Sequence, residues 1–141
     1  MMTRIAENSF WNSWGVLLGR IIIGGVFLMA LAFKFLMFNM QVAETAQAGL
    51  PFPQVMVVLA IILELFLVFA FFTGLYFKEA VLLAIPYILV LAVFFHGPSH
   101  WSTNQDEFGF FIDHLTFIAG LLFMLAHGVG NAWRVKGRSA V

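Results

Sequence analysis

The chain has 141 residues, of which 62% are hydrophobic and 10% are charged, and its formal net charge is zero. Soluble domains are about half apolar and about a quarter charged, so this composition excludes an ordinary soluble domain and indicates an integral membrane protein. A neutral chain is not expected to bind nucleic acid, and the lack of cysteine excludes disulfides and cysteine-ligated zinc or iron–sulfur centres.

Four long apolar segments predict membrane-spanning helices. In chain order they cover roughly residues 14–34, 55–76, 80–95 and 108–127, lengths suited to the hydrocarbon core of a bilayer. Between the first two spans, residues 41–48 predict a short surface helix that Gly49 ends. We therefore expect an all-α fold, a four-helix membrane bundle forming a single domain over residues 1–141.

The lysine and arginine residues outside the spans predict the orientation. One side of the membrane would carry both termini and the loop after the second span, which hold Arg4, Lys78, Arg134, Lys136 and Arg138. The opposite side holds only Lys34, at a helix end. By the positive-inside rule, both termini should be cytoplasmic in a multi-pass protein of the cell inner (plasma) membrane.

One face of the first span carries two basic residues. Arg20, Gly24, Phe27, Leu31 and Lys34 recur at helical spacing and should point into the bundle. Two interpretations of Arg20 remain open: an internal ion pair, or a side chain that extends to the nearer membrane surface.

Glu64 lies near the centre of the second span. A carboxylate there costs about 3 kcal/mol by insertion scales, so it should be protonated, paired or turned towards the protein interior. Counting about 1.5 Å per residue from the helix ends puts Tyr87 of the third span and Thr116 of the fourth at a similar depth. We therefore expect a cluster of Glu64, Tyr87 and Thr116, with Arg20 about 9 Å nearer the cytoplasm.

This cluster has two interpretations. It is either a polar pocket for a quinone headgroup or proton relay, or a structural polar pair that fixes how the helices align. In the first case Glu64 and Tyr87 are the candidate catalytic residues, and Arg20 and Thr116 join them in binding the quinone.

A second polar group lies on the side opposite the termini. It contains His96, His100 and His114, and imidazole nitrogens can bind transition metals. Gly97 and Pro98 interrupt the helical spacing of the first two histidines. We therefore expect ordinary interfacial residues, with the three histidines as weak metal-ligand candidates.

Several segments together resemble the DoxX family of small four-helix membrane proteins. They are GRIIIGGVFLMALAFKF, AETAQAGLPFPQVMVVLAIILEL, TGLYFKEA, FFH and GFFIDHLTFIAGLLFMLAHG, spread over residues 15–128. DoxX-like chains include a subunit of thiosulfate:quinone oxidoreductase, and others resemble membrane partners in oxidoreductase or oxidative-stress assemblies.

The resemblance implies a membrane subunit linked to redox chemistry, with quinone as the candidate cofactor. The partners would be the lipid bilayer and other membrane or redox subunits, one of which carries the electrons. The alternative is a non-catalytic accessory subunit of a larger membrane complex, in which Glu64 serves the architecture.

Overall fold

The computed structural model describes residues 10–135, and this part of the chain is helical without strands. The helices in chain order are α1 (Trp11–Leu36), α2 (Phe38–Gln47), α3 (Pro53–Thr73), α4 (Phe77–His96), α5 (Pro98–Trp101) and α6 (Asp106–His127). Within the described residues, α1, α3, α4 and α6 are long and apolar enough to cross a membrane. The predicted all-α membrane fold with four spanning helices is confirmed, and the orientation of the termini stays a prediction.

The second and third spans begin and end a few residues from the predicted positions. Helix α3 starts at Pro53 and ends at Thr73, not at residue 76, because Gly74 takes a left-handed conformation (φ 76°) that stops the helix. Helix α4 then begins at Phe77 instead of near residue 80. The connection between these two helices is therefore very short, and it holds them as close neighbours.

The predicted surface helix is present as α2 and starts earlier than expected, at Phe38. It ends before Gly49, which takes a left-handed φ of 79°. Helix α2 packs against α3, and its Thr45 side chain is buried. This packing places α2 at one end of the bundle, beside the N-terminal half of α3.

The bundle consists of two closely packed helix pairs, α1 with α3 and α4 with α6. Ala70 of α3 and Ala80 and Ala84 of α4 are fully buried in the core, and such small residues let membrane helices pack closely. The backbones of α1 and α6 stay farther apart and meet through side chains, such as the rings of Phe27 and Phe117 with centroids 5.8 Å apart.

The two ends of the bundle differ in their polar residues. We call them the His96 end, where α1 and α4 finish and α3 and α6 begin, and the Arg20 end, where α3 and α6 finish. The buried Arg20 makes tertiary hydrogen bonds at one end, partly buried His96 and Glu107 contact each other at the other end, and Glu64 lies between the two ends.

Candidate functional site

Glu64 lies in the middle of α3 with 1% of its surface exposed. Two groups contact the same carboxylate oxygen, Oε1: the Lys34 ammonium at 2.7 Å, and the Tyr87 hydroxyl, which donates at 2.6 Å. The other oxygen, Oε2, has no hydrogen-bond partner among the residues that the structure describes. The carboxylate is therefore paired through one oxygen, while the second can accept a further hydrogen bond.

Lys34 reaches Glu64 from the last turn of α1. Because Cα–Cβ bonds in a helix tilt towards its N-terminus, a side chain near the C-terminal end extends back into the bundle. The predicted inward face of α1 is confirmed, since Arg20, Gly24, Phe27 and Leu31 are buried. Lys34 continues this face, with a side chain 12% exposed.

Sequence reasoning missed Lys34 as the partner of Glu64. The sequence places Lys34 on the inward face of the first span and at a helix end, but residue counting indicated no partner for it. The contact shows that the end of α1 is close to the middle of α3. Residue counts made separately along each helix do not reveal how two helices are shifted along their axes relative to each other.

Arg20 is not a partner of Glu64. Its side chain is completely buried, and its Nε and Nη2 donate to the backbone carbonyls of Phe71 and Phe72 at 3.0 and 3.1 Å. These carbonyls lie in the last turn of α3, where helix C=O groups lack partners along the helix and the dipole is negative. Arg20 therefore caps α3 about 10 Å along the axis from Glu64, by the count of residues.

The same guanidinium also ties down the chain that follows α6. Its Nη1 donates to the carbonyls of Val129 and Ala132, and Nη2 donates to that of Trp133, at 3.3 to 3.4 Å. Among the described residues no carboxylate pairs with Arg20. The side chain extends to the near end of the bundle, as one interpretation expected, but it is buried there against backbone carbonyls and not exposed at a surface. The fork of N–H donors on arginine suits this task, since it can reach two separate segments at once.

Thr116 also lies apart from Glu64, while Tyr87 is where the depth estimate placed it. The Thr116 hydroxyl donates to the carbonyl of Ile112 at 3.0 Å, and the residue is exposed. Residue counting predicted the contact of Tyr87 with Glu64, whereas Thr116 lies on an exposed face of α6 and makes its hydrogen bond within its own helix. The structure thus brings together Glu64, Tyr87 and Lys34, and the predicted chemical role of Glu64 and Tyr87 stays a prediction.

A cavity of about 350 Å³ opens beside the Lys34–Tyr87 side of this group. We call it the Lys34 cavity. Its polar lining consists of Lys34, Gln41, Glu44, Thr45, Tyr87, His96 and His114. The remaining lining is apolar and comes mainly from α3 and α4, including Leu63, Val90 and Leu91. The cavity therefore runs from the polar His96 end into the apolar interior, where it meets Lys34 and Tyr87.

A second cavity, of about 340 Å³, lies between α1, α4 and α6. We call it the Glu64 cavity. Glu64 lines only the Glu64 cavity, Lys34 lines only the Lys34 cavity, and Tyr87 lines both. Asp113 and His114 of α6 supply further polar groups. Leu91 and His114 also line both cavities, which have similar volumes and adjoin each other beside the ion pair.

The histidines of the His96 end form local contacts. His96 Nδ1 lies 2.5 Å from Glu107 Oε2, and the rings of His96 and His114 are 5.0 Å apart between centroids. His114 Nδ1 donates to the carbonyl of Phe110 at 2.7 Å, and His100 lies near another backbone carbonyl. In residues 10–135, no group of three or more His, Asp or Glu side chains is placed to hold a metal ion. The weak metal-ligand candidacy of the three histidines stays a prediction.

Comparison with known proteins gives one match. A family model described as DoxX matches residues 15–97, which cover α1 to α4 and include Lys34, Glu64 and Tyr87. The match ends before α6 and is shorter than the resemblance noted in the sequence, which extends to residue 128. No curated protein and no solved structure matches the chain.

Proposed function

Because this chain belongs to the DoxX family of membrane proteins, we propose that it is the membrane subunit of a quinone-linked oxidoreductase of the thiosulfate:quinone oxidoreductase type. In this proposal the Lys34 cavity holds the quinone headgroup. The observation that supports it is a cavity with mainly apolar walls among the candidate spanning helices, at which a lysine and a tyrosine share one buried carboxylate oxygen.

The residues of the Lys34 cavity fit a quinone headgroup. Small-molecule sites are typically about 300–1,000 Å³, mostly apolar, with a few polar groups that fix orientation, and the Lys34 cavity has this size and character. Quinone carbonyls only accept hydrogen bonds, so the site must donate. The Lys34 ammonium has three N–H donors, and its one hydrogen bond among the described residues is to Glu64.

The three polar side chains would divide the work. Lys34 Nζ would orient the headgroup, while Glu64 holds Lys34 in place and offsets its charge. Tyr87 holds a proton between its own oxygen and Glu64 Oε1, so the pair can pass a proton to the cavity and recover one. A bound quinone would take up two electrons from a partner subunit and two protons drawn from the aqueous phase and passed in turn through the Tyr87–Glu64 pair, forming quinol.

The electrons would come from a partner subunit that oxidises the sulfur substrate. The chain has no cysteine to hold an iron–sulfur cluster. Many large apolar side chains remain exposed on the spanning helices, as expected of faces that contact lipid or other membrane subunits. We propose that the whole chain, residues 1–141, is one domain in the inner membrane with both termini cytoplasmic.

The test begins with gentle extraction of the chain from its native membrane. Co-purifying subunits would be identified by mass spectrometry, and bound quinone would be extracted and quantified. Quinone reduction by the intact assembly would then be compared between wild type, Glu64→Gln and Tyr87→Phe. We expect at least a tenfold loss of turnover in both variants, since general acid–base groups contribute about 10²–10⁴-fold.

The matched control is Glu79→Gln, which removes a carboxylate exposed in the first turn of α4, away from both cavities. It should leave turnover and assembly unchanged. If Glu64→Gln and Tyr87→Phe assemble normally and retain full turnover, the catalytic proposal is wrong. The chain would then be an accessory subunit in which these residues only hold the helices together.

A further inference from the structure

The Glu64 cavity differs from the Lys34 cavity in the hydrogen-bonding groups that it offers. Oε1 of Glu64 is committed to Lys34 and Tyr87, and the buried Oε2 has no partner within residues 10–135. Glu64 lines only the Glu64 cavity. An oxygen that is buried and unpartnered in an apolar bundle is unfavourable, so a donor in this cavity would be bound favourably.

The other polar groups of this cavity also accept hydrogen bonds. Tyr87 donates its one hydroxyl proton to Glu64, which leaves its oxygen lone pairs. His114 donates from Nδ1 to the carbonyl of Phe110, so in the neutral ring Nε2 is an acceptor. Asp113 adds a carboxylate. Tyr87 and His114 also line the Lys34 cavity, which holds the Glu44 carboxylate as well. The two cavities therefore differ in that the Glu64 cavity presents acceptors and no ammonium group, whereas the Lys34 cavity adds the N–H donors of Lys34.

The walls of the Glu64 cavity suit a flat apolar body. They include Phe27, Ala30, Ile88 and Phe117. The rim is formed by exposed residues of α1 and α6, Val26 and Asp113, where the two backbones are not closely packed. An apolar molecule could thus enter sideways from the bilayer between α1 and α6.

We propose that the Glu64 cavity is a second binding site, which takes the hydroxyl-bearing quinol form of the headgroup with its O–H donating to Glu64 Oε2. The carbonyl-bearing quinone form binds in the Lys34 cavity, on the other side of Tyr87. A hydroxyl fits better than an ammonium because Lys34 already offsets the charge of Glu64. This inference rests on the proposed function and adds to it a separate site for the reduced form.

Two alanines allow each cavity to be filled without touching the other. Ala30 lines the Glu64 cavity and not the Lys34 cavity, and Ala60 lines the Lys34 cavity and not the Glu64 cavity. The whole chain in lipid nanodiscs would be tested with decylubiquinone and, under anaerobic reducing conditions, with decylubiquinol. Affinities would be measured by equilibrium binding, and folding by melting temperature.

We expect Ala30→Phe to weaken decylubiquinol binding at least tenfold while leaving decylubiquinone binding unchanged. Ala60→Phe should do the reverse. Glu64→Gln places an N–H donor within the acceptor site and should also weaken quinol binding. If Ala30→Phe does not fold, the smaller Ala30→Leu takes its place.

The outcomes separate this inference from the proposed function. Equal weakening of both forms by one variant, or no change in quinol affinity in Ala30→Phe, would indicate a single site. Either result would overturn the second site, while quinone binding would still support the proposed function. Wild-type protein that binds quinol through the Glu64 cavity but not quinone would overturn the Lys34 cavity assignment alone. Binding of neither form would overturn both.

Discussion

The Nζ atom of Lys34 lies 2.7 Å from Oε1 of Glu64, joining positions 30 residues apart at the end of α1 and the middle of α3. This contact holds together the helix pair α1–α3 at membrane depth. It also fixes the carboxylate through Oε1, while Glu64, whose buried Oε2 has no hydrogen-bond partner among the described residues, lines the Glu64 cavity.

Breaking this ion pair should destabilise the protein, and removing both partners should restore part of the loss. Loss of one member of a buried pair typically costs about 3–5 kcal/mol, because the other charge is left uncompensated. We expect a clear fall in melting temperature in detergent for Lys34→Gln and for Glu64→Gln. The fall for the double variant should be smaller than the sum of the two single falls.

The control for this cycle combines Glu64→Gln with Arg20→Gln. Since Arg20 bonds backbone carbonyls at the other end of α3, the two losses should add. Coupling between Arg20 and Glu64, together with additivity between Lys34 and Glu64, would contradict the pairing described here.

Arg20 should be among the residues most important for stability. Arg20→Gln removes the donors to carbonyls of α3 and of the chain after α6. Each buried group left without a partner costs about 1–3 kcal/mol, so the free energy of unfolding should fall by about 3 kcal/mol or more. Arg20→Lys should rescue little, because an ammonium cannot span both segments.

The matched comparison is Lys78→Gln, which removes a basic residue exposed in the first turn of α4. Its melting temperature should be close to that of wild type. A stability loss for Arg20→Gln no larger than that for Lys78→Gln would show that the carbonyl contacts of Arg20 contribute little.

Gly74 should tolerate no side chain, for two reasons. Its φ of 76° is left-handed, and a Cβ there would lie 2.9 Å from Val129 Cγ2 and 3.0 Å from Arg20 Nη2. Gly74→Ala should therefore lose about 1–2 kcal/mol from backbone strain and a further amount from displacing the guanidinium.

Gly49 isolates the contribution of backbone strain from that of the steric contacts. It has a similar φ of 79°, but a Cβ there would meet no atom within 4 Å. Gly49→Ala should lower the melting temperature less than Gly74→Ala does. Equal losses would mean that the chain around Arg20 adjusts to the added methyl group without cost.

The orientation can be tested with single cysteines, since the natural chain has none. The loops of the His96 end contain no lysine or arginine, while Lys78 and Arg134 lie at the Arg20 end. By the positive-inside rule, an impermeant thiol reagent on intact cells should label Ser102→Cys and not Ser139→Cys, a position outside the described residues. Labelling of Ser139→Cys alone would reverse the orientation.

Some basic residues behind this prediction also lie outside the described residues, namely Arg4, Lys136 and Arg138. A further pair of sites within the described chain strengthens the test. Thr103→Cys at the His96 end should be labelled, and Glu79→Cys at the Arg20 end should be protected.

The sequence alone determined the fold class and much of the position of Glu64. Apolar segments of bilayer length allow little besides spanning helices, because every backbone polar group must be satisfied inside the membrane. Helical spacing predicted the buried face of α1, and residue counting predicted that Tyr87 lies at the depth of Glu64. These inferences succeed because they depend on periodicity and rise within a single helix.

Only the tertiary structure decided which groups meet. Residue counts give the depth of a residue along its own helix, but they give neither the rotation of that helix nor its offset against a neighbour. Rotation explains why Thr116 does not reach Glu64, and offset explains why Lys34 contacts the middle of α3. Arg20 shows the same limit, because its partners are carbonyls of a helix end and of a later segment of chain. Every residue has such a carbonyl, so no side-chain pattern could identify these acceptors before the helices were packed.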